Sequence, residues 1–390
     1  MKRVTFYLGL MWRPVLSVVL LLSISTIVLF FNINLPGSYS GNEAEYLNLL
    51  KSQISLPYWM IFLPINLVQI VVLKITTFSI ENARYVSATF GLSALVLYYS
   101  IIRQWYTTRV AILSAMMFLT STWFLVVARS ASPIIAFVLF EVLILITIWL
   151  QKTKKTKLAV TLLAISCSIL IYIPGMIWMI LGGLIWKRKF ITNQLQKSSI
   201  VFKTLLLVLV IASLTPIAIN YRNSDFLLGI MGLPKVIISF QDFLSNIYYY
   251  VTSIFWNSSY STTNVGNQGL LDIFVVVLFI SGFLYAIKKR LYSKYKFIFA
   301  SILLGVMLVG LNGQSFAIYT FPGIMILVAI GLAWIIQQWF TVFPKNPVAK
   351  FVGICLIFIV VLFSSAYNTY RYFIAWPHMD STKSSYTEKL

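Results

Sequence analysis

Long apolar runs, separated by short polar segments, occupy most of this chain. A helix needs about 20 apolar residues to cross the hydrocarbon core of a bilayer. The pattern therefore predicts an all-α polytopic membrane protein with about 11 transmembrane helices, forming a single integral membrane domain over residues 1–390. The predicted spans lie near residues 14–34, 85–102, 110–128, 134–150, 158–172, 173–186, 204–220, 270–287, 297–312, 317–338 and 351–367.

Segment 56–78, LPYWMIFLPINLVQIVVLKITTF, is the one run whose placement the apolar pattern leaves open. It is long enough to cross a bilayer, but two prolines interrupt it. Asn66, Gln69 and Lys74 also make it partly polar. We predict that it lies along the membrane surface as an interfacial segment of the first outer loop.

The placement of basic residues supports this arrangement. If segment 56–78 stays on the outer surface, most of the 30 Lys and Arg residues fall in cytoplasmic segments, which then contain none of the nine Asp and Glu residues. If the segment crossed, most of the basic residues would lie outside, against the usual excess of Lys and Arg on the cytoplasmic side. We therefore predict a multi-pass cell-membrane protein with a cytoplasmic N-terminus and an extracytoplasmic C-terminus.

Composition excludes several other classes of protein. The chain is 60% hydrophobic and only 10% charged, whereas soluble domains are about 25% charged. The net charge of +21 comes from short clusters between apolar runs, so membrane lipids and not nucleic acids are the expected partners. Cys167 and Cys355 lie inside apolar runs and His378 is the single histidine, which gives no pattern for a disulfide or a zinc site. No cofactor is predicted, and a divalent metal stays open.

The stretch GNEAEYLN, residues 41–48, holds two of the nine acidic residues just after the first predicted span. One interpretation is structural, with Asn42 capping a short surface helix and Glu45 at its third position, as in a capping box. The other is chemical, with Glu43 or Glu45 acting as a general base that takes a proton from an acceptor hydroxyl.

Two arginines lie at the outer ends of neighbouring predicted spans. Arg84 opens one span in ENARYVSA, and Arg129 closes the next in VVARSASP. Each guanidinium either reaches toward the lipid headgroups or binds a phosphate through paired hydrogen bonds. Because both face the same leaflet, the sequence also permits one shared phosphate site.

Two further features carry candidate chemistry. The outer loop 246–269 mixes aromatic residues with Asn and Ser, which suits sugar rings but also suits an ordinary aromatic belt at the membrane interface. Glu141 lies in the middle of a predicted span, where it serves either as part of a proton relay or as a protonated partner for a neighbouring helix.

The order of these motifs resembles that of GT-C membrane glycosyltransferases, including protein O-mannosyltransferases and the aminoarabinose transferase that acts on lipid A. The resemblance covers residues 10–190. The helical half 200–370 matches only in its spans and large outer loop, and a polar tail, 371–390, follows. The matching stretches are NEAEY (42–46), LPYW (56–59), ARYVSA (83–88), ARSAS (128–132) and YIPG (172–175).

The resemblance implies transfer of a hexose or pentose from a polyprenyl-phosphate-linked donor to a glycan, lipid or protein acceptor of the cell envelope. It implies catalytic residues among Asn42, Glu43 and Glu45, and donor-phosphate binding by Arg84 and Arg129. The implied substrate-binding residues are Tyr46, Tyr172, Trp256 and Tyr260.

The chain departs from the family at three positions. Asn42 stands where the family has its catalytic Asp, Ser132 replaces an acidic residue, and Tyr172 replaces the lysine of a K-x-P motif. An amide does not act as a general base at ordinary pH. Either Glu43 or Glu45 has therefore taken over, or the chain is a catalytically inactive relative that binds lipid or a partner. A transporter or flippase is a third alternative, which Glu141 fits but the absence of a half-to-half repeat does not.

Overall fold

The structure is a computed structural model. It describes residues 2–52, 60–138, 156–196, 199–258 and 268–389.

The first half of the chain is helical apart from one short strand. Helix α1 ends near the start of the first loop, which contains strand β1 and helices α2 and α3. Five further helices, α4 to α8, follow. The bounds are α1 Lys2–Phe30, β1 Ser38–Tyr39, α2 Gly41–Ser52, α3 Leu63–Ile75, α4 Ile80–Trp105, α5 Thr108–Thr120, α6 Thr122–Ala128, α7 Thr156–Leu170 and α8 Met176–Gln196.

The second half continues with helices and ends in a strand. A 3₁₀ turn, Gln314–Thr320, leads directly into α14, and a π-helical turn, Arg371–Ala375, extends α15. The bounds are α9 Ile200–Ile219, α10 Ser224–Met231, α11 Phe240–Phe255, α12 Ile273–Lys288, α13 Ser293–Asn312, α14 Phe321–Val342, α15 Pro347–Tyr370, α16 Trp376–His378, α17 Asp380–Ser385 and β2 Glu388–Lys389.

The predicted class, an all-α polytopic membrane protein, is confirmed. Within the described part of the chain, five helices are long and apolar enough to cross a membrane. Helices α5 and α6 make a sixth candidate if they count as one span bent by 64°. The predicted number of about 11 is not confirmed, because several runs form shorter helices and run 134–150 lies mostly outside the described residues.

Helix α3 accounts for the described part of segment 56–78. Its 13 residues extend only about 20 Å, less than the roughly 30 Å of hydrocarbon in a bilayer. Its buried residues are Ile65, Asn66, Gln69 and Leu73, which recur at helical spacing and form one face. Asn66 and Gln69 therefore face the protein, whereas Lys74 is exposed, and the chain returns to the end of the bundle where α1 ended.

Apolar character alone does not separate the central helix from the peripheral ones. Residues 321–333 of α14 are all buried, whereas α9 has no buried residue. Both helices are apolar on all sides. Protein therefore surrounds α14, whereas lipid surrounds α9. Helix α14 crosses α12 so closely that a Cβ on Gly282 would lie 1.8 Å from the carbonyl oxygen of Leu327.

The predicted polar tail folds back onto the first loop. Strands β1 and β2 pair antiparallel, with Ser38 opposite Lys389 and Tyr39 opposite Glu388. The end of the described chain therefore lies beside α2, at the same end of the bundle as the first loop.

Candidate functional site

Helix α2 directs its two glutamates to different surroundings. Glu43 is buried, whereas Asn42 and Glu45 are exposed. The predicted cap, Asn42 with Glu45, is wrong. The Ser40 hydroxyl accepts the Glu43 amide at 3.3 Å, and the Glu43 carboxylate accepts the Ser40 amide at 3.2 Å, which is a capping box displaced by two residues.

The Glu43 carboxylate joins three parts of the chain. It forms a forked ion pair with Arg84, whose Nε and Nη2 donate at 3.1 and 2.8 Å. The Ser130 hydroxyl and the Ala131 amide, in the turn after α6, donate at 3.2 and 2.8 Å. With the Ser40 amide, five donors surround a carboxylate that is almost fully buried. Through these bonds the carboxylate anchors the first loop to α4 and to the turn after α6.

Each nitrogen of the Arg84 guanidinium has a protein acceptor. Besides Glu43, its guanidinium donates to the carbonyl oxygen of Ser38 at 3.1 Å and of Ile33 at 3.5 Å. The side chain is 1% exposed. In this conformation, Arg84 fastens the first loop to the beginning of α4.

Arg129 caps the end of α1. Its guanidinium donates to the carbonyl oxygens of Val28 at 3.1 Å and Phe31 at 2.7 Å, and also to that of Asn32. The last carbonyls of a helix lack partners within the helix, and a cation there is favourable. The rings of Tyr372 and Phe373 cover the guanidinium, with centroids 5.0 and 4.8 Å from its central carbon.

Glu43, Arg84 and Arg129 therefore meet at one end of the bundle, as a closed polar cluster. Arg84 and Arg129 donate to carbonyls of adjacent residues, Ile33 and Asn32. All three charged residues are no more than 2% exposed. No cavity described for this structure is lined by any of them.

The C-terminal cover, residues 371–389, closes this cluster. Tyr372 packs on Arg129, and the Ser38 hydroxyl donates to the backbone oxygen of Tyr386 at 2.7 Å. Burial, and secondarily the Glu43 carboxylate, raises the pKa of the Tyr386 phenol. Tyr386 also meets Trp376 edge to face at 5.4 Å. This segment was predicted only as a polar tail, although its aromatic run, RYFIAW, was a usable signal of burial.

Tyr46 ties α2 to α3. Its hydroxyl lies within hydrogen-bond distance of Asn66 Oδ1 and, at 2.6 Å, of Gln69 Oε1. The Gln69 amide in turn donates to the carbonyl oxygens of Ala83 and Ala131. Burial raises the pKa of Tyr46. In this structure Tyr46 belongs to the scaffold around Glu43.

The other predicted substrate residues lie elsewhere or outside the described part. The Tyr172 hydroxyl donates to the Ser213 carbonyl oxygen at 2.6 Å, and its ring packs with Phe226 and Ile230. Trp256 is 82% exposed and lines a cavity of about 320 Å³. Tyr260 and Glu141 lie outside the described residues.

Sequence reasoning missed a buried polar network at the start of α12. Asp272 Oδ1 accepts the backbone amides of Phe274 and Val275, and Oδ2 accepts Ser364 and Asn368 at 2.7 and 2.5 Å. An Asp directly before an apolar run is a helix N-cap signal that could have identified it. Among the described residues, no group of three or more His, Cys, Asp or Glu side chains could hold a metal ion.

Neither a protein-family model nor a curated protein sequence matches this chain. Solved structures do match it. The chain is similar to ArnT from Cupriavidus metallidurans in the apo state, with a TM-score of 0.59, 14% identity and coverage of 92% of this chain and 75% of that one. It is also similar to the same enzyme bound to undecaprenyl phosphate, with a TM-score of 0.53, 13% identity and coverage of 92% and 76%.

A further match, the oligosaccharyltransferase AglB from Archaeoglobus fulgidus, has a TM-score of 0.47, which is too low to support an argument. The two ArnT structures match almost the whole chain. The match includes the C-terminal half, in which no sequence motif of the family was found. At this identity the likeness concerns the fold alone. The chain is an all-α polytopic membrane protein that shares its fold with ArnT, a protein of the GT-C fold.

Proposed function

We propose that this chain is an integral-membrane glycosyltransferase that takes a hexose or pentose from a polyprenyl-phosphate-linked donor. The observation that carries the proposal is the fold shared with ArnT over 92% of the chain. ArnT has been solved with undecaprenyl phosphate bound. In the reaction, the bond between the sugar and the phosphate oxygen breaks, and a new bond to an acceptor oxygen forms. Polyprenyl phosphate leaves, and a base takes the acceptor proton.

We assign the base to Glu45. Asn42 and Glu45 are exposed and three residues apart on α2, so their side chains are neighbours on the helix surface. Asn42 cannot accept the proton. Glu43 is buried and holds five hydrogen bonds, which leave it no room to reach an acceptor hydroxyl. A general base must come within about 3 Å of the proton it removes.

The donor phosphate is assigned to Arg129 in an open conformation. Tyr372 and Phe373 shield this guanidinium, and its Nε has no hydrogen-bond partner. Displacement of the C-terminal cover presents the guanidinium to a lipid phosphate. Arg84 keeps its ion pair with Glu43 and holds α2 in place, while Trp256 and the cavity beside it serve the acceptor.

The test is turnover in lipid nanodiscs with undecaprenyl-phosphate-linked mannose, glucose and 4-aminoarabinose as donors and a cell-envelope extract as acceptor. Release of undecaprenyl phosphate is measured, so the acceptor need not be known. We expect Glu45→Gln to lower the rate by about 10²- to 10⁴-fold, as loss of a general base does. Asp242→Asn, which alters another exposed carboxylate, leaves the rate unchanged. Equal rates for wild type and Glu45→Gln reject this base.

A second function, lipid or partner binding without catalysis, is favoured by one observation. Asn42 stands on the exposed face of α2, where it cannot take a proton, and the buried carboxylate is fully used by the scaffold. This alternative predicts binding of the same donors without release of undecaprenyl phosphate. It further predicts that Asn42→Asp gains turnover.

A further inference from the structure

A large cavity lies at the end of the bundle opposite the Glu43 cluster. It has a volume of about 860 Å³ and lies between the α4–α5 turn, the end of α14 and helix α15. Arg84 and Trp105 lie on the same helix, 21 residues apart, which places the cavity about 30 Å from the cluster. It therefore opens at the level of the other leaflet.

The deeper walls of this cavity are mostly apolar, although Gln104, Thr107, Thr108, Gln337 and Thr341 also line it. The apolar lining residues include Val110, Leu113, Ile336, Phe340, Ile354 and Ile357. Helix α15 forms one side, and its outward side chains, such as Phe351 and Phe358, are exposed on the lipid-facing surface. A hydrocarbon chain can therefore enter from the membrane.

One basic residue lines the cavity, and two lysines on other helices lie beside the rings of lining residues. Arg109, in the first turn of α5, lines the cavity and is exposed. The Lys294 ammonium, near the start of α13, lies 5.2 and 5.4 Å from the ring centroids of the lining residues Trp105 and Tyr106. Lys350, in the first turn of α15, lies 6.0 Å from the ring of Phe340.

No Asp or Glu lines the cavity. Basic pockets between transmembrane helices are where anionic lipid headgroups bind. We propose that this cavity binds one anionic phospholipid of the adjacent leaflet. Its acyl chain lies between α5, α14 and α15, and its phosphate lies at the rim with Arg109 and Lys294.

The proposal is tested by native mass spectrometry of the purified full chain, delipidated and then titrated with phosphatidylglycerol or phosphatidylcholine. We expect one phosphatidylglycerol to be retained at least fivefold more strongly than phosphatidylcholine. Arg109→Ala lowers phosphatidylglycerol retention by about fivefold, the effect of one basic residue. Arg103→Ala removes an exposed charge that does not line the cavity and leaves retention unchanged.

A second variant tests the apolar part of the site. Ala333→Phe places a ring into the cavity wall and abolishes retention of either lipid at one-to-one stoichiometry. Equal retention of the two lipids by wild type, or no difference between Arg109→Ala and Arg103→Ala, overturns the proposal. Because lipid mass and not sugar transfer is measured, the result is independent of the proposed enzyme activity.

Discussion

At the scale of single residues, the Glu43–Arg84 ion pair holds the first loop against the start of α4. Both side chains are almost fully buried, at 3% and 1% exposure. Removal of one partner from a buried pair leaves the other charge without compensation, which costs about 3–5 kcal/mol. The pair therefore contributes to the stability of the folded chain independently of any catalytic role.

We predict that Glu43→Gln lowers the free energy of unfolding by about 3 kcal/mol, because Arg84 keeps its charge and loses its counter-ion. The double variant Glu43→Gln/Arg84→Gln loses less than this, since no unpaired charge remains. Unfolding by SDS titration in detergent micelles measures both.

The exposed pair Lys235–Asp225 provides the matched control. Its side chains are 63% and 41% exposed, and surface pairs contribute at most about 1 kcal/mol. Asp225→Asn should therefore change stability little. Equal losses for Glu43→Gln and Asp225→Asn contradict a structural role for the buried pair.

Residue chemistry was partly readable from sequence. Charges near a membrane are costly, so Glu43, Arg84 and Arg129 could be identified from sequence as candidate functional residues. Their partners were not, because Glu43 and Arg84 are 41 residues apart and Arg129 binds backbone carbonyls. The cap was missed by two residues although Ser40 to Glu43 reads S-x-x-E, the capping-box signature.

At the scale of elements, α12 and α14 show how two membrane helices come into backbone contact. A Cβ on Gly331 would lie 2.0 Å from the carbonyl oxygen of Leu278, matching the close approach at Gly282. In a bilayer the hydrophobic effect does not drive helices together, so their association depends on close packing. Small residues such as glycine permit that close approach of the backbones. This crossing fixes the central helix α14 against its neighbour.

We predict that Gly282→Ala lowers the unfolding midpoint, because the added methyl group forces the two backbones apart at a cost of about 1–3 kcal/mol. Gly182→Ala in α8 is the control, since nothing lies within 4 Å of its added Cβ. That change leaves the midpoint unchanged or raises it, because Ala favours the helix. Thermal unfolding in detergent compares the two, and a midpoint for Gly282→Ala that equals wild type refutes the crossing.

Elements were the most predictable level. The longest described helices follow the predicted apolar runs, and α3 lies within the segment assigned to the membrane surface. Helices α10 and α11 lie between two predicted runs, in a segment that was predicted to be a loop. Two features were not predictable from periodicity: the 64° bend between α5 and α6, and the burial of α14 against the exposure of α9. Both depend on which helices are neighbours, which a single apolar pattern does not encode.

At the scale of the whole molecule, the pairing of β1 with β2 brings the first loop and the C-terminal cover to one end of the bundle. The first loop and the C-terminal cover must therefore lie on the same side of the membrane. The excess of Lys and Arg at the opposite end favours an extracytoplasmic position for the Glu43 cluster.

We predict that Lys51→Cys and Lys383→Cys, both at exposed positions near the cluster, react with a membrane-impermeant maleimide in intact cells. Arg290→Cys, in the α12–α13 turn at the other end, reacts only after permeabilisation. Cys167 and Cys355 are replaced by Ala in the background, because both are free thiols. Labelling of Arg290→Cys, or of a cysteine in the KTKKTK stretch, in intact cells reverses the orientation and removes the outer-face assignment.

Arg129 has a consequence for the order of synthesis. The carbonyls that it binds belong to the end of α1 and to the two residues that follow it, and they leave the ribosome before Arg129 does. Its aromatic cover, Tyr372 and Phe373, is translated much later, near the end of the described chain. During insertion, the guanidinium can therefore bind its carbonyls but lacks its aromatic cover while the intervening helices enter the bilayer. Biogenesis of this end of the protein is complete only when the last helices arrive, so a chain stalled before them exposes a buried cation to the quality-control machinery.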